Sequence, residues 1–156
     1  MVHWRMETVS PSGLLSCAQS LVETILDIGI RTVWLATDYP YALAKGDHKV
    51  TKSSTFRDFG PAHKQAIASL IAHPDIEVVD LLGRMATTNV DMGVMGILDK
   101  LVGVDADVFL AGGVGCGRSS SFTKQIVQER EYRLLENEHM LNIVDTFTPH
   151  AHALHA

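Results

Sequence analysis

Apolar positions recur along this chain with two alternating spacings, and the switches between them predict alternating strands and helices. Val2 to Arg5 reads as the end of a strand. Across residues 13–28, Leu14, Leu15, Ala18, Leu21, Val22, Ile25 and Leu26 return at helical spacing. Ser12 is placed to cap that helix and Gly29 to stop it. Thr32 to Ala36 is a β-branched and aromatic run that ends in Thr37 and Asp38 and is broken by Pro40. Residues 44–60, polar and rich in Gly, Ser and Lys, predict a surface loop. Pro61 opens a helix that reaches His73. Ile76 to Leu82 reads as a strand, residues 91–104 as a helix despite Gly93 and Gly96, Val108 to Ala111 as a strand, and Ser119 to Leu135 as a helix. This alternation predicts a mainly parallel sheet covered on both faces, a Rossmann-like three-layer α/β sandwich. With no repeat or linker, residues 1–140 form one domain and 141–156 a C-terminal tail. Functional groups in such sheets gather where strands end. His3 with Arg5, Thr37 with Asp38, and the 112–121 loop all fall at such ends.

Composition narrows the function classes. The 156 residues, 46% apolar and 20% charged, are enough for one globular core. A net charge of −5 argues against nucleic-acid binding through a basic field. No run reaches the ~20 apolar residues of a membrane span, and MVHWRMETVSPSG lacks the apolar region of a signal peptide. Cys17 and Cys116 are too few for a disulfide scaffold and read as reduced and packed. His150, His152 and His155 lie in an Ala/His-rich end without a second ligand cluster, which favours a frayed terminus over a metal site.

The segment from Asp107 to Glu131 carries the chemistry. An apolar strand runs into Gly112, Gly113, Gly115 and Gly117, then Ser119, Ser120 and Ser121, then a helix. Glycines, hydroxyls and a helix N-terminus together suit a phosphate. Gly112 to Ser119 is one residue from a P-loop, with Arg118 in place of the lysine. Arg holds phosphates differently, the loop follows a late strand, and Asp80 is a weak Mg²⁺ candidate, so that reading is disfavoured. A purely structural glycine turn is the plainer alternative. Strand alternation puts His3 and Arg5 on one side and Trp4 on the other. The planar fork of Arg5 suits a diphosphate, although an ion pair with Glu7 is its ordinary alternative. Arg5 and a serine-rich helix start would neutralise a nucleoside diphosphate without a metal. That suits glycosyl transfer, in which the diphosphate leaves with growing negative charge.

Three ordered elements resemble the GDP-fucose-dependent fucosyltransferases, the superfamily of protein O-fucosyltransferases and core α-1,6-fucosyltransferases, most closely in its fungal style. His3-Trp4-Arg5 is similar to the family's H-x-R motif, and Leu35-Ala36-Thr37-Asp38 to its (V/L)ATD strand end. The stretch from Asp99 through Ala106-Asp107 resembles a block that opens on Asp and closes on Ala-Asp. It runs on into Ser120-Ser121-Phe122-Thr123, similar to S-S-F-(S/T). The resemblance covers about positions 2–133. It implies the C-terminal, GDP-fucose-binding half of a GT-B-like glycosyltransferase, with a shortened first strand and without the acceptor half. It implies that Arg5 is catalytic, holding the β-phosphate and stabilising the leaving GDP. Ser120, Ser121 and the backbone at Phe122 would bind phosphate, Asp99 would lie on the nucleoside side, and His3 would orient the site. No metal is required, and the acceptor would be a protein or glycan. Thr37 and Asp38 would shape the rim or cap the next loop. Thr8 stands where the family's motif places an acid, with Glu7 one residue early. The alternative is a non-catalytic fragment or degenerate relative that binds a nucleotide or partner. A missing half would leave an apolar face or sheet edge open to self-association. Family members usually work in the secretory pathway, while this chain carries no address of its own.

Overall fold

The computed structural model describes residues 1–39, 60–79, 92–136 and 141–149. Most of the 44–60 loop, Asp80 with the end of its strand, and the terminal histidines therefore lie outside the described residues. The elements are β1 (Val2–Trp4), α1 (Leu14–Asp27), β2 (Thr32–Thr37), α2 (Pro61–Ile71), β3 (Glu77–Val79), α3 (Met92–Asp105), β4 (Val108–Gly112), α4 (Ser121–Glu136) and β5 (Ile143–Phe147). The sheet order is β3-β2-β1-β4-β5, and every pairing is parallel. Helices α1 and α2 pack together, as do α3 and α4. The chain is thus a Rossmann-like three-layer α/β sandwich. It winds outward from β1 to β3, then returns to lay β4 on the other side of β1. A crevice forms at the carboxyl edge where the winding reverses.

Strand alternation explains the two cores. Val33 and Leu35 of β2, with Val108 and Leu110 of β4, pack with Trp4 and the α1 residues Leu14, Leu21 and Ile25. Their neighbours Trp34, Ala36, Phe109 and Ala111 turn to the opposite face, against Val104 of α3 and Ile126 of α4. Gly29 ends α1 as expected. At φ +80° it donates to Leu26 O at 2.9 Å, and Ile30 N donates to Ile25 O at 3.1 Å, which closes the helix end in the Schellman arrangement.

Three expectations change. Ser12 does not cap α1: the N-cap is Gly13, with no side-chain cap, and Ser12 Oγ instead meets Ser10 Oγ at 2.9 Å. Residues 143–147 are not tail. They form β5, in register from Val108 with Ile143 to Gly112 with Phe147. Phe147 is buried and meets the Trp4 ring edge-on at 5.7 Å. The cysteines are not reduced: Cys17 on α1 and Cys116 beyond β4 form a disulfide with Cα atoms 5.4 Å apart. β1 lies between β2 and β4, so the helix after β1 and the loop after β4 reach the same edge of the sheet.

Candidate functional site

The site begins where β1 ends. After Trp4 the chain leaves the sheet at Arg5 and makes a 3-10 turn, Met6–Thr8. Asp38, just beyond β2, accepts the N–H groups of Met6 at 2.7 Å and Glu7 at 3.1 Å. Its carboxylate therefore fixes the Arg5–Glu7 segment between the ends of two neighbouring strands. Burial pushes the Asp38 carboxyl above its ordinary range, and the two N–H bonds partly hold it down. The bonds cap the turn after β1 rather than the next loop, and Asp38 with Thr37 also lines the hollow beside Arg5, at its expected place on the rim. Arg5 forms an ion pair with Glu7, both side chains lining the same hollow.

The opposite wall comes from α4. Ser120 Oγ accepts Thr123 N–H at 3.1 Å, capping the helix three residues on. The two hydroxyls are 3.0 Å apart, and Thr123 Oγ1 lies 2.9 Å from His3 Nδ1. Phe122 packs on His3 with ring centroids 4.8 Å apart. Burial, with the positive charge of Arg5, lowers the His3 pKa to about 4, so its imidazole is neutral near pH 7. Asp99, on α3, accepts the Trp34 indole N–H at 2.8 Å.

These walls enclose a cavity of about 240 Å³, where His3, Arg5, Asp99, Ser120 and Phe122 come together with Glu7 and Asp38. It lies at the carboxyl edge of β1 and β2, beside the start of α4. Ser121 is exposed and does not line it. A larger hollow of about 350 Å³ opens beside Trp34, Val102 and Ala106. Among the described residues its lining is mostly apolar, with Asp107 the one ionisable side chain beside the Met1 end. Thr123 was not among the expected site residues. The available signal was its place three residues after a capping serine.

The glycine run serves chain packing. A Cβ at Gly112 would sit 2.5 Å from Cys116 O, and one at Gly117 3.0 Å from Gly112 O, so the loop crosses over itself at these two positions. Its amides also bond within the fold: Gly113 N donates to Phe147 O at 2.8 Å and Cys116 N to Gly113 O at 3.0 Å. Trp4 Nε1 donates to Cys116 O at 2.9 Å, anchoring the loop from beneath. The loop thereby delivers Ser120 and the start of α4 to the cavity.

Among the described residues no group of three or more His, Cys, Asp or Glu side chains could hold a metal ion. No described helix is long and apolar enough to cross a membrane. No protein-family model, curated protein or solved structure matches the chain.

Proposed function

We propose that this chain is a nucleotide-sugar donor-binding domain, binding GDP-fucose for transfer of fucose to a protein or glycan acceptor. The observation that carries the reading is the meeting of Arg5, Asp99 and Ser120, from three separate elements, at one cavity beside the sheet's reversal point. Arg5 supplies a planar cation for the diphosphate and, as the catalytic group, stabilises the charge that grows on departing GDP. Ser120 donates a hydroxyl, and Phe122 follows at the first turn of α4, where the helix dipole favours an anion. Asp99 takes the nucleoside end, on the other wall. No metal is called for in this scheme, because the cation and the helix start bear the anionic charge.

Calorimetry with GDP and GDP-fucose tests the reading. Arg5→Ala should weaken both by at least about tenfold, the worth of a charge-assisted pair. Equal binding by the two proteins would overturn the role of Arg5. A second reading, binding without turnover, draws on the Arg5–Glu7 pair, which competes with any anion for the guanidinium. It predicts GDP-fucose binding with no GDP released in the presence of any acceptor. We further propose self-association through exposed apolar residues: Val94, Ile97 and Leu101 on α3, or Ile143 and Val144 on the outer strand β5. A monomer by sedimentation at every concentration would contradict it.

A further inference from the structure

The geometry points to a two-ended hydrogen-bond relay, His3–Thr123–Ser120, in which an anion held by Ser120 turns His3 Nε2 into a hydrogen-bond acceptor facing the cavity. This rests on the diphosphate site proposed above. Three contacts define the relay: His3 Nδ1 to Thr123 Oγ1 at 2.9 Å, Thr123 Oγ1 to Ser120 Oγ at 3.0 Å, and Thr123 N–H to Ser120 Oγ at 3.1 Å. Both end residues line the cavity. No buried side-chain nitrogen or oxygen lacks a partner among the described residues. His3 Nε2 bonds no described residue, and so it opens to the cavity.

Each hydroxyl has one proton, and a neutral imidazole has one N–H. Thr123 Oγ1 has no other described acceptor, and with its proton kept within the relay only two arrangements satisfy both inner contacts. In the first, Ser120 donates to Thr123, Thr123 donates to Nδ1, and the imidazole proton sits on Nε2. In the second, Nδ1–H donates to Thr123, Thr123 donates to Ser120, and the Ser120 proton points into the cavity. The relay holds three protons in either case. Passing from the first to the second takes one proton from the cavity at Ser120 and returns one to it from Nε2. It therefore donates to the cavity at one end only.

An ionised phosphate oxygen accepts and cannot donate. Bound at Ser120, it requires the Ser120 O–H and so selects the second arrangement. His3 Nε2 then presents a lone pair, suited to a ligand hydroxyl or an incoming nucleophile's O–H. A ligand without the anion leaves the imidazole free to donate. Neutrality of His3 is what gives it two tautomers to choose between.

The test is long-range proton–nitrogen correlation NMR on histidine-labelled full chain at neutral pH, with His3→Gln assigning the resonance. Pyrophosphate and GDP are the probes, and binding is followed separately by calorimetry. On binding either probe, His3 should move to the Nδ1–H form. In Thr123→Val the tautomer should no longer respond, while affinity changes by less than about tenfold because Ser120 keeps its hydroxyl. Binding of a probe without a tautomer change, or an equal change in Thr123→Val, overturns the relay. Pyrophosphate response without GDP binding supports the relay and overturns the GDP reading. Failure of both probes to bind overturns both.

Discussion

His3 occupies a position where a positive charge is disfavoured from two sides, by burial and by the Arg5 guanidinium. Its pKa falls from 6.5 to about 4. Between those values the unfolded chain binds a proton that the native chain does not, so native stability declines as pH falls through that window. The His3 contribution is fully present above the upper value and fully lost below the lower one. Asp38 acts in the opposite direction, since a raised carboxyl pKa makes the native state take its proton first on acidification. His3→Gln removes the first effect and leaves the second. Urea unfolding at neutral pH and at about pH 4.5 should show the native sequence losing about 2 kcal/mol more than the variant. An equal loss would mean that His3 is not held neutral by this site. Sequence alone put His3 and Arg5 on one side of a strand, and Thr37 and Asp38 at the next strand end. The partner of His3 was not legible, because Thr123 lies 120 residues away and the reversal of the sheet brings it near.

At the scale of elements, the packing of α4 on α3 turns on two residues that periodicity cannot expose. Gly103 lets the helices approach: a Cβ there would stand 2.8 Å from Ile126 Cδ1. Arg130 is fully buried on α4. Its Nη1 donates to the carbonyls of Gly103 at 2.9 Å and Val104 at 3.2 Å, and also to Ala106. Its Nη2 reaches Asp107 O at 3.2 Å, and Nε donates to Asn142 Oδ1 at 2.8 Å. One guanidinium thus satisfies the open carbonyls at the end of α3 and ties them to the approach to β5. Lysine keeps the charge and loses the fork. Arg130→Lys should therefore cost about 3 kcal/mol in urea unfolding, because several buried carbonyls lose a donor. Arg133→Lys, altering the half-exposed pair with Asp105, should cost less than about 1 kcal/mol. Similar losses would contradict the role given to Arg130. Helix α1 and the central strands were legible because their apolar spacing is strong. β5 was not, since Ile143 to Thr146 are exposed and only Phe147 is buried. A buried arginine likewise reads as a surface residue until its carbonyl partners are known.

For the molecule as a whole, the bridge between Cys17 and Cys116 spans a sequence separation of 99, so it constrains most of the unfolded chain. Counting two cysteines pointed toward thiols; the parallel winding points the other way, since it brings the start of α1 and the loop after β4 to one edge. In the chain-entropy account, closing a loop of about 100 residues is worth about 4–5 kcal/mol. Reduction, or Cys17→Ser with Cys116→Ser, should lower unfolding stability by roughly that amount in urea. The effect on the site should be much smaller. Cys116 precedes Ser120 by four residues, but its loop is held independently by the Trp4 indole on Cys116 O and by Gly113 N on Phe147 O. Ser120 is fixed in turn by Thr123 N–H. Diphosphate affinity measured well below the denaturation midpoint should therefore change by less than about threefold on reduction, an effect under 1 kcal/mol. A large loss of affinity in a still-folded reduced protein would show that the bridge itself holds the glycine loop in place. The site would then depend on oxidation, and the indole and backbone bonds would be insufficient to position Ser120.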